Sequence, residues 1–131
     1  MGNKVFAYKG QPVTFQAAEG SYLINASQMA KPFGKRTADW LETKQAQELI
    51  STLSAVTGIP VTGLVAVRQG GSIQGTWMHE DVALLFAQWL SPEFYLWCND
   101  RIKELMKFGI TATPQTVEAI LEDPDTFIVL L

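Results

Sequence analysis

The chain has very little of what builds metal centres, disulfides and membrane spans. It contains one cysteine and one histidine in 131 residues, so an intrachain disulfide is excluded and a structural zinc site is not expected. No apolar run approaches the roughly 20 residues that cross a bilayer, and the N-terminus lacks the apolar segment of a signal peptide. We therefore expect a cytoplasmic protein that uses no metal or other cofactor.

Positive charge is also scarce, and it is unevenly distributed. The net charge is −3, but residues 1–78 carry seven Lys/Arg against four Asp/Glu, whereas residues 79–131 carry three against nine. A basic surface is thus confined to the first part of the chain, where it permits local attraction to nucleic acid. A soluble acidic domain without such a role is the alternative on charge alone.

What the chain does contain suits one compact domain. Its composition is 47% hydrophobic and 11% aromatic, which is typical of a globular protein with a substantial core. We expect residues 1–109 to form this domain and residues 110–131 to form a short helical extension. Because the chain stops in the apolar segment 127–131, we expect the extension to lead into a C-terminal region that this sequence lacks.

The first part of the chain alternates between strand and helix patterns. Residues 3–24 show apolar and polar alternation broken by two turns, which predicts three short antiparallel strands. Asn25 is a suitable N-cap, and Gln28 follows three residues later as in a capping box. Two short helices are then expected, over residues 25–34 and 36–43, with a tight turn between them.

The middle of the chain predicts a helix and then a hairpin. A helix over residues 45–57 has one buried stripe, formed by Ala46, Leu49, Ile50 and Leu53. Strands over residues 64–68 and 73–78 flank Gly70-Gly71, and adjacent glycines supply the positive φ angles that tight hairpins need. Gly75 inside the return strand indicates a bulge or a close backbone approach.

Two longer helices follow, over residues 80–90 and 92–108. The first has almost no polar face, which predicts that it lies in the core, and Ser91-Pro92 is a cap with proline at the first helical position of the second. The spacing places these side chains in the core: Trp77, Trp89, Trp97, Cys98 and Met106. Two further short helices are expected, one over residues 113–121 and another that begins at residues 123–125.

These elements predict an α+β fold: a helix-turn-helix-like pair with small antiparallel strands and a β-hairpin wing, packed on two longer C-terminal helices. Such parts read double-stranded DNA, and residues at the start of a recognition helix commonly reach base edges. Arg36 is suited to guanine, and lysines are suited to phosphates. The predicted contact residues are Lys31, Lys35, Arg36, Thr37, Lys44, Arg68, Gln69, Gly70, Gly71, Ser72 and Gln74.

Other interpretations of these residues remain open. Lys-Arg pairs are frequent on surfaces, and Gly-Gly turns mostly just make hairpins. His79 lies beside two carboxylates, as acid–base chemistry would need, but a cap of the 80–90 helix is the simpler role. Cys98 falls on a buried stripe, and no nucleotide-binding or metalloprotease motif is present, so we do not expect an enzyme. Exposed tryptophans that stack single strands are a weaker alternative.

Residues 22–106 resemble the KilA-N domain of bacteriophages and large DNA viruses. The resemblance rests on several motifs in order: Tyr22-Leu23-Ile24-Asn25-Ala26, Gly34-Lys35-Arg36, Asp39-Trp40-Leu41, Gly70-Gly71, Gly75-Thr76-Trp77-Met78-His79, Ala83, Phe86-Ala87, Trp89-Leu90-Ser91-Pro92, Phe94 and Trp97. Residues 110–131 also look like the segment that follows this domain in phage antirepressor-type proteins.

The resemblance implies a fold akin to the DNA-binding domain of fungal APSES transcription factors. It implies DNA binding in phage or prophage gene control, inside a bacterial host cell. Lys35, Arg36 and Thr37 would then begin the reading helix, and residues 68–74 would form the wing. A module that binds and inactivates a repressor protein is the alternative, and oligomerisation would come from the missing C-terminal region.

Overall fold

A computed structural model of the protein describes residues 2–71 and 74–110. Five strands form one antiparallel sheet in the order β1-β2-β3-β5-β4. The strands are β1 (Asn3–Tyr8), β2 (Gln11–Ala18), β3 (Ser21–Asn25), β4 (Val65–Arg68) and β5 (Gly75–His79). The three predicted N-terminal strands and the hairpin are confirmed.

Six α-helices complete the described part of the fold. They are α1 (Ala26–Ala30), α2 (Thr37–Leu41), α3 (Lys44–Thr57), α4 (Val61–Leu64), α5 (Glu80–Leu90) and α6 (Pro92–Phe108). A 3₁₀ turn, Lys31–Phe33, follows α1. The predicted α+β class is therefore confirmed, with two longer C-terminal helices packed on a small sheet. The helix expected over residues 113–121 and the one expected to begin at residues 123–125 lie outside the described residues.

One face of the sheet is buried. Phe15 pairs with Ile24, and Ile24 pairs with Met78, so the three side chains share a face and are 0% exposed. Helix α6 covers this face, where the ring of Tyr8 lies 4.8 Å from that of Phe94. The opposite face is open at the edge strand β1, where Val5 is 54% exposed.

Caps predicted from the sequence stabilise the starts of the two C-terminal helices, α5 and α6. His79 precedes α5, and its Nδ1 accepts a hydrogen bond from the backbone N–H of Asp81 at 3.2 Å. Ser91 precedes α6, and its Oγ accepts from the N–H of Phe94 at 3.3 Å. Each cap satisfies a backbone donor that has no partner within its own helix.

Several details of the sequence-based prediction were wrong. Helix α4 was not expected, and it delays the start of β4 from the predicted residue 64 to Val65. Met106 was expected in the core but is 60% exposed, because it lies about 100° around α6 from buried Leu105. Trp89 was also expected in the core and is 37% exposed, since it lies at the rim of the buried stripe of α5.

Candidate nucleic-acid interface

The turn between α1 and α2 is tight and well defined. Gly34 adopts φ 63°, a left-handed conformation that favours glycine, and its N–H donates to the carbonyl of Lys31 at 3.2 Å. The N–H of Lys35 donates to the carbonyl of Ala30 at 3.3 Å. Arg36 is then extended, with φ −117° and ψ 143°, and α2 begins at the next residue. Lys35 and Arg36 are therefore carried by a short, ordered connection.

Helix α1 fills the space where β3 ends. Asn25 caps α1 by accepting from the N–H of Gln28 at 3.1 Å, as predicted. The side chain of Gln28 does not complete a capping box, because its Oε1 accepts from the N–H of Thr14 at 2.7 Å. Ser27 Oγ accepts from the N–H of Thr76 at 3.0 Å. The first turn of α1 thus bonds to β2 and β5, the two strands that flank β3.

The same junction ties the helix pair to the hairpin. Asn25 Nδ2 donates to the carbonyl of Gln74 at 3.1 Å. Gly75 has φ 131°, and a Cβ there would lie 2.9 Å from Asn25 Oδ1, so the predicted close approach is confirmed. The buried Asn25 carboxamide, 1% exposed, therefore links the start of α1 to the base of the hairpin.

Lys35 is held by an aromatic ring that sequence reasoning assigned to the core. Its Nζ lies 4.6 Å from the ring centroid of Trp89, a cation–π distance. Trp89 stacks on Phe86 at 5.9 Å, and Phe86 lies 5.4 Å from Trp40 of α2. Through these contacts, both ends of the segment from Lys35 to Trp40 are packed against helix α5. Trp89 lies at the edge of the buried stripe of α5. This position on the helix is the sequence signal that could have indicated a partly exposed ring.

Arg36 and Asp39 form an ion pair on the surface of α2. Arg36 Nη2 donates to Asp39 Oδ1 at 2.8 Å, and the side chains are 75% and 47% exposed. The hydrogen bond raises the pKa of Arg36 and lowers the pKa of Asp39, since it stabilises both charged forms. The guanidinium is thus oriented by a carboxylate while it stays accessible to solvent.

The remaining predicted residues on this side of the molecule are accessible to different extents. Thr37 is the first residue of α2 and is half-buried. Lys31 is exposed at the end of α1. Lys44 is exposed at the start of α3, and its Nζ lies 3.9 Å from Glu48 Oε1, a weak surface ion pair.

Arg68 is directed away from the hairpin turn. Its Nη1 donates to Gln16 Oε1 at 2.8 Å, and its guanidinium carbon lies 4.8 Å from the centroid of Trp77. Trp77 is 1% exposed and lies on the open face of the sheet, opposite the core side on which Met78 lies. Sequence reasoning placed Trp77 in the core but did not foresee its contact with Arg68.

The hairpin turn itself is exposed. Gly70 and Gly71 have φ 83° and 68°, as a tight turn requires. Gln69 and Gln74 are exposed beside them. Ser72, also predicted as a contact residue, lies outside the described residues, as does the start of the expected return strand at residue 73.

The residues that metal or acid–base chemistry would use can be located in the structure. Residues 2–71 and 74–110 contain no group of three or more His, Cys, Asp and Glu that could hold a metal ion. Burial raises the pKa of Cys98 to about 12, which keeps its thiol protonated and unreactive at neutral pH. His79 is used as a helix cap. Within the same ranges, no helix has both the length and the apolar character to cross a membrane.

The fold and its exposed features define a class of small α+β module in which an antiparallel sheet carries a cationic helix pair and a glycine-rich hairpin. Residues 7–108 match the KilA-N domain family, and the chain belongs to that family. KilA-N domains are generally DNA-binding.

Two relatives from Acanthamoeba polyphaga mimivirus illustrate the similarity. KilA-N domain-containing protein L37 is 46% identical over 65 residues, which are 46% of this chain and 13% of the relative. KilA-N domain-containing protein L4 is 34% identical over 84 residues, which are 62% of this chain and 18% of the relative. The chain therefore spans less than a fifth of the length of either relative. No solved structure matches the chain.

Proposed function

We propose that this chain is a non-enzymatic module that binds double-stranded DNA within an antirepressor-like regulator of phage or prophage type. The observation that carries the proposal is the arrangement of Lys35 and Arg36, both exposed and both held by a neighbouring side chain at the start of α2. Membership of a generally DNA-binding family supports it.

In the proposed complex, the start of α2 lies in the major groove. Arg36 would donate to base edges, while Lys31, Lys35 and Lys44 would neutralise phosphates. The glycines of the hairpin turn, which carry no side chain, would let its backbone approach the sugar-phosphate chain closely. Arg68 would contribute from the base of the hairpin once its bond to Gln16 is exchanged for DNA.

The charge distribution is compatible with a modest affinity. Three lysine–phosphate contacts predict a slope of log K against log salt near −2.7, or about a 40-fold loss of affinity between roughly 50 and 200 mM salt. Higher affinity in the cell would then come from oligomerisation of a longer protein, because linked modules bind with avidity.

A second candidate function is the capture of a repressor protein. The observation that favours it is a surface groove of about 210 Å³ between α3 and α5. The groove is lined by Trp40, Gln45, Leu49, Leu85, Gln88 and Trp89. Its mixed aromatic and amide lining suits a protein side chain, and the net negative charge of residues 79–131 would disfavour DNA as a partner.

Fluorescence anisotropy tests the proposal. A labelled random duplex is titrated at about 50 and 200 mM salt with wild type and the variant Lys35→Ala/Arg36→Ala. The matched control, Lys103→Ala/Lys107→Ala, removes two cations from α6. We expect salt-sensitive binding that is lost in the α2 variant and retained in the control.

Two outcomes would overturn the proposal. One is the absence of salt-sensitive binding by wild type. The other is equal binding by the α2 variant and the α6 control. A stable complex with a repressor, formed without any DNA binding, would establish the second candidate instead.

A further inference from the structure

The proposed contact surface contains an unexpected negative charge. Asp39 lies in the first turn of α2, and its Oδ1 accepts from Arg36 Nη2 at 2.8 Å. At 47% exposure the carboxylate is accessible, and the hydrogen bond from Arg36 lowers its pKa, so it is ionised at neutral pH. A surface that only neutralised phosphates would be weakened by this anion.

The two side chains keep free hydrogen-bonding capacity. Apart from the bond that joins them, neither side chain makes another hydrogen bond among residues 2–71 and 74–110. Arg36 therefore presents further N–H donors, and Asp39 presents its Oδ2 as an acceptor beside them. Donors and an acceptor are thus displayed side by side on one exposed surface.

Base edges in the major groove respond differently to these two groups. Guanine presents the acceptors O6 and N7, which suit a guanidinium. A carboxylate needs an amino donor, and only cytosine N4 and adenine N6 supply one there. Adenine places its acceptor N7 next to N6, which would repel the second oxygen of a carboxylate. Cytosine has no acceptor in the major groove, so it fits Asp39 better.

We propose that Arg36 and Asp39 act together as a reader of a guanine and a cytosine that belong to adjacent base pairs and whose major-groove edges lie side by side. Arg36 donates to the guanine, and Asp39 accepts from cytosine N4 while it orients Arg36. This inference rests on the proposed DNA-binding function and extends it to a preferred base composition. Asp39 is the specificity-determining residue, because it repels base edges that present only acceptors.

Asp39 therefore increases the discrimination between base sequences and lowers the affinity for DNA. Its charge opposes phosphates on every sequence, so its removal strengthens binding to unrelated DNA. The same removal abolishes the preference for cytosine and leaves the preference for guanine, which depends on Arg36. An ordinary surface ion pair would behave differently, because its loss would change binding to all sequences alike.

Selection from a duplex library with a random core tests the inference. Wild type, Asp39→Ala and the matched control Glu42→Ala are compared, since Glu42 is an exposed acid at the end of the same helix. We expect wild type and Glu42→Ala to enrich guanine beside cytosine. Replacing the base pair that contains this cytosine, while the guanine read by Arg36 is kept, should weaken wild-type binding about 5- to 150-fold and Asp39→Ala binding less than about 2-fold.

A second variant is used in case Asp39→Ala does not fold, which circular dichroism would detect. If Asp39→Ala unfolds, Asp39→Asn takes its place, and its preference should move from cytosine to adenine, the base that an amide pairs with best. A cytosine preference that survives in the folded variant overturns the inference and leaves DNA binding intact. Failure of wild type to enrich any duplex at low salt overturns the proposed function itself.

Discussion

The carboxamide of Asn25 lies against the backbone of Gly75. A Cβ at Gly75 would be 2.9 Å from Asn25 Oδ1 and 3.2 Å from Nδ2, closer than side chains tolerate. The same carboxamide caps α1 and donates to the carbonyl of Gln74. A single buried side chain therefore sets the position of the helix pair relative to the hairpin.

Gly75→Ala should destabilise the domain more than an ordinary glycine replacement does. Gly20 is a matched control, since it has φ 69° but nothing within 4 Å of a Cβ. Gly20→Ala carries only the backbone cost of about 1–2 kcal/mol. Gly75→Ala adds the clash with Asn25, so its free energy of unfolding in urea should be lower by at least about 1 kcal/mol more. Equal losses of stability in the two variants would show that the contact between Asn25 and residue 75 adjusts to the added methyl group at little cost.

Arg36 and Lys35 should affect DNA binding in different ways. Arg36→Ala is expected to weaken binding about 5- to 150-fold at the preferred duplex and to flatten the preference for it, because Arg36 contacts a base. Lys35→Ala should weaken binding to all duplexes alike and reduce the salt slope by about 1, because Lys35 contacts a phosphate. Anisotropy titrations over a salt series separate the two effects. Identical behaviour of the two variants would contradict these roles.

Trp89 should stabilise the position of Lys35. A double-mutant cycle of Lys35→Met and Trp89→Leu, measured by urea unfolding, is expected to give a coupling energy of about 0.5–1 kcal/mol, as for an exposed cation–π pair. Trp89→Phe retains an aromatic face and should keep part of the coupling. A coupling of zero would mean that the 4.6 Å contact contributes nothing.

Glu80 should make stability fall as the pH rises. Burial raises the pKa of this carboxyl above its ordinary value of 4.5, although the N–H of Tyr22, which donates to Oε1 at 2.9 Å, partly offsets the effect. Because the folded state holds the proton to a higher pH than the unfolded state does, the contribution of Glu80 is lost as the pH rises through the folded pKa.

The variant Glu80→Gln removes this titration and keeps an acceptor for Tyr22. Its free energy of unfolding relative to wild type should therefore increase between pH 4 and pH 7, measured by urea unfolding at each pH. The exposed Glu93 of α6, changed to Gln, provides the control. Parallel pH curves for wild type and Glu80→Gln would show that the carboxyl titrates alike in both states.

Cys98 should be inert while the protein is folded. It is 0% exposed, and burial raises its pKa to about 12. The thiol is therefore neither ionised at neutral pH nor accessible to a reagent. We expect a chromogenic disulfide reagent at pH 8 to react with it only at the rate at which the protein opens, and rapidly in urea. An added surface thiol, Ser51→Cys, should react at once. Fast reaction of Cys98 without denaturant would indicate that α6 opens readily.

Local sequence signals predicted most of the elements. Asn25 and Ser91 were identified as caps, and both accept the backbone hydrogen bonds expected of them. Gly75 was predicted to mark a bulge or a close backbone approach, and a Cβ there would lie 2.9 Å from Asn25 Oδ1. These features depend on the conformational preferences of a few adjacent residues, so they can be recognised without knowledge of the fold.

Contacts between distant residues could not be predicted in this way. Trp89 and Met106 were assigned to the core, because helical spacing defines a stripe but not how far around the helix the core extends. The Arg36–Asp39 ion pair was also missed, although its i,i+3 spacing on a helix is a local signal that could have identified it. The predicted DNA contacts themselves stay predictions.

The sequence by itself determined most of the secondary structure, the charge asymmetry and the family resemblance, because these follow from residue types and short spacings. Only the tertiary structure decided what Lys35 and Arg68 contact. Arg68 reaches Gln16, which is 52 residues away, and Lys35 reaches Trp89 on another helix. Such pairs meet because the strand order β2-β3-β5-β4 and the packing of α5 bring distant segments together. Those arrangements are set by the burial of the whole core rather than by any local pattern.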